Sequence, residues 1–310
     1  MKIALSLFDG MSCGQLALQR AGVSVDYYLA SEVDQYAMTV TKKNFPETEH
    51  IGDVREVDGT SMISPFILMG GSPCQSFSFA GTRIGMATEQ GEEITTLERY
   101  LELKGEGFQF SGQSYLFWEY VRILRETKPK YFLLENVKMA KKWENIISET
   151  LGVCPIVINS ALVSAQNRER LYWTNIPVTL DIKDKELTLK DVIKDMAHRK
   201  ITIKHPETIR RTKNYAQYDQ SLKGHGSQDQ RFFYLSGKSG CITMSHSSVP
   251  KVETAEGIIV LNPEEVEALQ TVPEGYTSMV ERKHRYKMLG NGWTVDVIAH
   301  ILRHIPEEEK

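Results

Sequence analysis

Short apolar runs alternate with helical patterns over residues 3–176 of the chain. Runs of strand length fall at 3–8, 27–31, 50–54, 66–69, 131–134, 155–163 and 171–176. Patterns typical of helices lie between them, most clearly at 15–20, 34–44 and 115–127. Strands that alternate with helices favour an α/β fold built on a doubly wound, mostly parallel sheet.

This alternation stops after residue 176, and the stretch 198–238 has no clear periodicity. It contains nine lysines and arginines against three acidic residues, although the whole chain has a formal net charge of −3. The basic residues are Arg199, Lys200, Lys204, Arg210, Arg211, Lys213, Lys223, Arg231 and Lys238. Tyrosines and phenylalanines lie among them, which predicts a nucleic-acid-binding surface, with a solvated loop region as the alternative. Two helices are predicted further on, at 262–270 and 294–304.

The bulk composition fits one large domain plus a smaller one. Of the 310 residues, 41% are hydrophobic and 25% are charged, which supports a globular core. No apolar run reaches the length that spans a membrane, so we expect a cytoplasmic protein. The four cysteines form no C-x-x-C pair, and His300 and His304 have no evident third ligand, so we expect no metal site.

Cys74 follows the apolar run at 66–69, after two glycines and Pro73. The glycines permit close approach of the backbone to a bound molecule, and the proline fixes the turn. Because open α/β sheets keep their reactive groups at the carboxyl ends of strands, this thiol is a candidate nucleophile. A buried structural cysteine is the alternative, which the polar, turn-forming neighbours make less favourable.

A glycine turn and two acidic residues predict a nucleoside pocket near the same edge of the sheet. The turn 9–14 joins the first strand to a helix, and Glu32 ends the second strand, where an acid suits a ribose diol. Asp53, near the end of the third strand, is placed to accept from an exocyclic amine. No P-loop lysine follows the turn, which argues against a triphosphate ligand.

Five motifs, in order along the chain, resemble those of the cytosine-5 DNA methyltransferase family. They are Phe8-Asp9-Gly10, Pro73-Cys74-Gln75, Glu135-Asn136-Val137, Gln166-Asn167-Arg168-Glu169-Arg170 and Gly290-Asn291. The segments 30–33 and 52–55 are most similar to the vertebrate de novo enzymes and their bacterial and phage relatives. The resemblance implies a Rossmann-like S-adenosylmethionine methyltransferase fold with a smaller target recognition domain. The expected catalytic domain is 1–177 plus 281–310, and the expected recognition domain is 178–280.

The resemblance also implies a site and a chemistry. Cys74 would add to carbon 6 of a flipped-out cytosine, Glu135 would act at N3, and Arg168 and Arg170 would line the pocket. The implied cofactor is S-adenosyl-L-methionine, which becomes S-adenosyl-L-homocysteine, and the implied partner is double-stranded DNA. The implied cofactor-binding residues are Phe8, Asp9, Gly10, Gly14, Glu32, Val33, Asp53, Val54, Pro73, Asn291, Gly292 and Trp293. Residues 76–81 would form a mobile loop, but an acidic insertion at about 84–110 departs from the family pattern.

Two other functions within the same family remain open at this point. A relative that acts on tRNA would carry a Cys-Phe-Thr tripeptide, which this chain lacks. An inactive regulatory homologue would lose the motif cysteine or glutamate, and both Cys74 and Glu135 are present. A cognate restriction endonuclease is a further partner that the resemblance allows.

Overall fold

The computed structural model describes residues 1–77, 85–194, 209–218, 231–244 and 249–310. By their internal contacts these residues form two units. Unit 1 is Met1–Ile158, Glu169–Thr179 and Ile301–Lys310, and unit 2 is Asn159–Arg168 and Leu180–His300. In the part of the chain that the structure describes, no helix has both the length and the apolar character needed to cross a bilayer.

The sheet of unit 1 has seven strands in the order β3-β2-β1-β4-β5-β7-β6. The strands are β1 (Ile3–Leu7), β2 (Tyr27–Ser31), β3 (Glu49–His50), β4 (Ile67–Gly70), β5 (Tyr131–Val137), β6 (Ile156–Asn159) and β7 (Glu169–Thr174). The pairs among β1 to β5 are parallel, and β7 runs antiparallel to β5. Because β1 lies between β2 and β4, the carboxyl ends of β1 and β4 meet at the switch point of the sheet. The predicted doubly wound, mostly parallel sheet is confirmed.

Five complete helices accompany this sheet in the part of unit 1 that the structure describes, and the central strands are buried. The helices are α1 (Cys13–Ala21), α2 (Gln35–Asn44), α3 (Leu97–Gly105), α4 (Phe117–Thr127) and α5 (Lys141–Leu151). Every residue of β1 and of β4 is buried, as expected for apolar strands covered on both faces of a parallel sheet. Leu5, Leu68 and Leu134 belong to one hydrophobic cluster with the aromatic face of α4.

The third strand is shorter than the sequence pattern predicts. A strand was expected over 50–54, but β3 ends at His50 and a 3₁₀ turn occupies Val54–Glu56. Asp53 caps this turn, because its side chain accepts a hydrogen bond from the Arg55 N–H at 2.9 Å. The local cap therefore replaces the sheet ladder that would have extended β3.

The acidic insertion packs into unit 1. Met86, Ile94, Leu97, Tyr100 and Leu103 are buried in the same cluster as the central strands. The last three lie at helical spacing on α3, so the helix presents one apolar face to the core while its acidic residues stay outside.

Unit 2 contains a second, smaller sheet with the strand order β12-β11-β10-β9-β8. The strands are β8 (Ile209–Arg211), β9 (Tyr215–Tyr218), β10 (Arg231–Tyr234), β11 (Lys251–Glu253) and β12 (Ile258–Val260). The helices are α6 (Leu189–Val192), α7 (Pro263–Leu269), α8 (Arg282–Asn291) and α9 (Val295–Leu302), the last of which the unit boundary divides. β10 and β11 are parallel and the other pairs are antiparallel.

The stretch 198–238, in which no periodicity was predicted, contributes β8, β9 and β10 to this sheet. Strands of three or four residues are too short to give a clear alternation, which explains why the pattern was missed. The remaining residues of the stretch at 198–208 and 219–230 lie outside the described residues.

The limits of the two units differ from those of the predicted domains. Residues 159–168 and 281–300 were assigned to the catalytic domain, but both segments have their contacts within unit 2. Buried side chains explain this grouping, because Gln166 and Arg168 hydrogen-bond to residues 241–242 and to the end of α8. Sequence motifs mark which segments belong to a family, whereas these hydrogen bonds decide where each segment packs.

Candidate active site

Cys74 lies in the turn that follows β4, at the carboxyl edge of the unit 1 sheet, and it is partly buried. The Phe77 N–H donates to the Cys74 carbonyl at 3.0 Å, which closes the turn. Gly70 allows α4 to pack against the end of β4, because a Cβ there would lie 2.9 Å from the Tyr120 ring. The sequence therefore delivers the thiol from a buried strand into a defined turn, as predicted.

Asn136 connects this turn to the next strand. Its side-chain amide donates to the Ser72 carbonyl at 3.2 Å and to the Ser72 hydroxyl at 3.1 Å, and both residues are buried. Asn136 belongs to the Glu135-Asn136-Val137 motif, but the motif alone does not indicate this role. Its contacts fix the main chain before Cys74 relative to Glu135, the residue that precedes it on β5.

Glu135 and Arg170 form an ion pair at the adjacent strand ends. The Arg170 Nε lies 3.1 Å from Glu135 Oε1, and the two side chains are only 13% and 11% exposed. The antiparallel pairing of β5 and β7 places Arg170 opposite Val137, two residues from Glu135 and on the same face. The structure thus brings Arg170 of β7 against Glu135 of β5, the strand that Asn136 ties to the Cys74 turn.

The glycine turn after β1 is held by two carboxylates. Glu32 accepts from the Gly10 N–H at 2.7 Å, and also from the N–H groups of Val33 and Asp34. Asp9 is buried and accepts from the Tyr28 hydroxyl at 2.6 Å and from the Ser12 hydroxyl. Burial raises the pKa of Asp9 to about 6. Glu32 therefore lies at the carboxyl end of β2, against the glycine turn that follows β1.

The turn itself contains strained backbone. Phe8 has a φ of 57° and Ser12 a φ of 58°, although neither is a glycine. Such left-handed residues persist where the surroundings hold them, and they gather at binding sites. The Asp9 carboxylate, which accepts from the Ser12 hydroxyl, is part of what holds this conformation.

Asp53 is engaged by a partner that the sequence analysis missed. Arg55 donates to Asp53 through its Nε at 3.0 Å as well as through its backbone, and these hydrogen bonds lower the pKa of the carboxyl. An acidic and a basic residue two positions apart, as Asp53 and Arg55 are, could have indicated this pairing from the sequence. Carboxylate oxygens have several lone pairs, so Asp53 retains capacity to accept from an amine.

Arg168 lies in unit 2, not in the unit that holds Cys74, Glu135 and Arg170. Its guanidinium is buried and has four acceptors: Cys241 Sγ at 3.3 Å, Ile242 O at 3.1 Å, Gly290 O at 3.2 Å and Gly292 O at 2.9 Å. Arg168 therefore holds the turn that carries Asn291, Gly292 and Trp293. Its observed contacts are those of a residue that orders this turn.

Two glutamines extend the same buried network in unit 2. Gln166 donates to Gln270 Oε1 at 3.2 Å and accepts from the Ile242 N–H at 2.9 Å. Gln270 in turn donates to Leu289 O at 2.6 Å and to Gly292 O at 3.0 Å. Side-chain amides thus satisfy main-chain groups at the end of α8 that the helix itself leaves unpaired.

The basic residues of unit 2 differ in how far they are already engaged. The Lys238 ammonium donates to three carbonyls, those of Ala161 at 2.7 Å, Ser164 at 3.1 Å and Leu187 at 2.7 Å. Arg211 pairs with Glu253, and the Arg231 guanidinium lies 4.8 Å from the centre of the Tyr215 ring. Lys213 is exposed. Arg199, Lys200, Lys204 and Lys223 lie outside the described residues, as does the side chain of Arg210.

The chain matches the family described as C-5 cytosine-specific DNA methylase over residues 3–307. It is 25% identical to the type II methyltransferase M1.ScrFI of Lactococcus lactis subsp. cremoris, over 99% of this chain and 79% of that protein. It is also 25% identical to the type II methyltransferase M.HhaI of Haemophilus parahaemolyticus, over 97% of this chain and 93% of that protein. The solved structure of the Entamoeba histolytica methyltransferase EhMeth covers 100% of this chain and 99% of its own, with a TM-score of 0.69 and 13% identity. Taken with the ordered motifs and the doubly wound sheet, the match shows that the chain belongs to the C-5 cytosine-specific DNA methylase family.

Proposed function

We propose that the chain is a DNA (cytosine-5-)-methyltransferase that uses S-adenosylmethionine and forms a covalent adduct through Cys74. The observation that carries the proposal is the placement of three groups in unit 1. The Cys74 turn is tied by Asn136 to the strand that holds Glu135, and Arg170 pairs with Glu135 at 3.1 Å. A nucleophile and a charge-paired carboxyl at neighbouring strand ends suit addition to a ring that must accept electrons.

The residues around the glycine turn fit the proposed cofactor. Glu32 lies beside the Gly10 N–H, and Asp53 follows the next strand, so acceptors for a ribose and for an adenine amine are both present. S-adenosylmethionine supplies the methyl group and leaves as S-adenosylhomocysteine. The family match and this donor set support the assignment.

The proposed reaction begins when the Cys74 thiolate forms a bond to carbon 6 of cytosine. The electron pair of the 5,6 double bond is then available at carbon 5, which bonds to the methyl group, and the carbon–sulfur bond that carried the methyl breaks. Glu135 shares a proton with N3 while the ring accepts electrons and takes that proton back when the ring is restored, and Arg170 orients Glu135. Removal of the carbon 5 proton by a base then expels the thiolate and restores the double bond.

We assign double-stranded DNA as the substrate and target recognition to residues 178–280. The small sheet β8–β12 lies in this range, and its first three strands come from the basic stretch. Because a reactive carbon within a duplex is inaccessible, the target cytosine must be flipped out of the stack. Recognition side chains are then expected to contact phosphates and base edges around the vacated position.

The test has two stages, because the target site must be identified first. Sequencing of methylated cytosines in DNA from cells that express the chain defines the site. A duplex with 5-fluorocytosine at that site should then trap the wild-type protein covalently in the presence of S-adenosylmethionine, since fluorine does not leave as a proton does. Cys74→Ser should bind the duplex but form no adduct, because an alcohol is a far weaker nucleophile near neutral pH. Near-normal turnover by Cys74→Ser would remove Cys74 from the mechanism.

A further inference from the structure

The main chain just after Cys74 is held at both of its polar groups by residues from a later part of the chain. The Ser76 N–H donates to the Ser114 hydroxyl oxygen at 3.1 Å, and the Ser76 carbonyl accepts from the Gly85 N–H at 2.9 Å. Ser76 and Ser114 are both buried. The turn that carries Cys74 is here called the nucleophile turn. It is therefore fixed on one side by Asn136, and on the other by a segment that comes later in the chain.

That segment, residues 85–116, is here called the insertion segment. Its two contacts with Ser76 come from near its two ends, at Gly85 and at Ser114. Gly85 passes directly against α5, since a Cβ there would lie 2.0 Å from the Trp143 ring. The same ring packs near Phe77, with centroids 6.1 Å apart. The insertion segment and the nucleophile turn thus share a packed surface as well as hydrogen bonds.

A buried carboxylate anchors the insertion segment to α4. Glu119 is fully buried and accepts from the Tyr100 hydroxyl at 2.5 Å, from Lys104 Nζ at 2.5 Å and from Arg122 Nε at 2.7 Å. Tyr100 and Lys104 both lie on α3. Moving α3 away would leave a buried charge without two of its three partners, which is strongly unfavourable. The insertion segment is therefore anchored to α4, and it can hold the nucleophile turn in a fixed position.

We propose that the insertion segment braces the nucleophile turn and that Ser114 is a positioning residue for Cys74. This inference rests on the function proposed above. Attack at carbon 6 requires the sulfur within a narrow range of distance and angle, and small displacements reduce rates strongly. Losing the Ser114 acceptor leaves the Ser76 N–H unpaired and frees the turn two residues from the thiol. Loss of the Ser114 hydroxyl should therefore slow the attack by Cys74 and leave the binding of DNA and cofactor unchanged.

The first experiment compares Ser114→Ala with Thr127→Val. Thr127 is a buried residue at the far end of α4, and its hydroxyl donates to the Ile123 carbonyl at 2.7 Å, so the control also loses one buried hydroxyl. Adduct formation with the 5-fluorocytosine duplex is measured in a single turnover at saturating DNA and cofactor. Ser114→Ala should slow it about tenfold with unchanged affinity for both ligands. Thr127→Val should form the adduct at the wild-type rate.

A second pair of variants acts from the insertion segment and leaves both buried serines in place. Gly112 and Gly107 are both exposed and have φ values of +64° and +80°. A Cβ at Gly112 would lie 2.6 Å from Ser76 Oγ, whereas a Cβ at Gly107 would meet no atom within 4 Å. Both alanine variants carry the same kind of backbone strain. Only Gly112→Ala should slow adduct formation.

The outcomes separate the inference from the proposed function. If wild-type protein forms no adduct with any cytosine of the identified site, the proposed function fails and the inference fails with it. If wild type forms the adduct and Ser114→Ala forms it equally fast, the inference alone is overturned. Equal slowing by Ser114→Ala and Thr127→Val, or by both glycine variants, would likewise overturn it, because a general loss of stability would then explain the rates.

Discussion

The substitution Arg168→Lys tests whether Arg168 orders the turn at the end of α8 or acts at the reacting base. Arg168 uses one terminal nitrogen for Cys241 and Ile242, and the other for the two glycine carbonyls of the turn. A lysine ammonium is a single point and can serve only one of these two pairs. Two acceptors are therefore lost, while the positive charge is retained.

The size of the effect follows from these contacts. Each lost acceptor costs about 1–1.5 kcal/mol, so Arg168→Lys should lower the free energy of unfolding by about 2–3 kcal/mol. Urea denaturation followed by circular dichroism measures this directly. The family resemblance implies that Asn291 of this turn binds the cofactor, and on that expectation cofactor affinity measured by calorimetry should also fall. Adduct formation at saturating cofactor should stay close to the wild-type rate.

Arg170→Lys is the matched control, since it makes the same chemical change two residues away. A lysine there can still pair with Glu135, whose Oε1 lies 3.1 Å from the Arg170 Nε. We expect a stability loss below about 1 kcal/mol and a clear decrease in the adduct rate. If instead Arg168→Lys unfolds at the wild-type urea concentration and forms the adduct slowly at saturating cofactor, the assignment of Arg168 as an ordering residue is refuted.

Three further predictions concern carboxylates and lysines. Glu32→Ala should weaken S-adenosylmethionine by about 1–3 kcal/mol through lost charge-assisted hydrogen bonds, and unchanged affinity in calorimetry would contradict the pocket. Asp9 has a folded pKa of about 6, raised above its ordinary value, so its contribution to stability is present at acid pH and is lost as the pH rises through 6. Unfolding free energy relative to Asp9→Asn should therefore fall by about 2–2.5 kcal/mol between pH 4 and pH 7, and a flat difference would contradict this. Lys213→Ala should reduce the salt dependence of DNA binding by up to about 0.9 in the logarithmic slope, whereas Lys238→Ala should lower stability and leave the slope unchanged.

The fold could be predicted largely because its strands are short, apolar and buried on both faces. The prediction of a strand over 27–31 agrees with β2, and the run at 66–69 lies within one residue of β4 at each end. Such runs have few alternatives once helical patterns separate them. The prediction of the third strand was wrong beyond His50, because Asp53 makes a local cap with Arg55 that no hydrophobic pattern indicates.

The two arginines of the motif at 166–170 have different contacts that the sequence pattern alone does not predict. Arg168 and Arg170 are two residues apart, which on a continuous strand would place them on one face. β7, however, begins only at Glu169, and the backbone of Arg168 bonds instead to Asn159 and Ser160 in unit 2. The same resemblance therefore covers two residues with different contacts. Their roles can be distinguished only when the acceptors around each guanidinium are known. For Arg168 these acceptors belong to segments more than seventy residues away along the chain.

Lys238 shows that composition alone does not identify the phosphate-binding residues of the basic stretch. By composition it is one of nine cations expected to contact phosphate, but its ammonium already has three carbonyl partners. An ammonium has three hydrogens to donate, so this one has no donor left for a phosphate. Arg211 is in a similar position, since its guanidinium pairs with the Glu253 carboxylate. A count of charges measures how basic a segment is, whereas phosphate binding depends on which cations lack internal partners, and on that criterion Lys213 is a better candidate than Lys238.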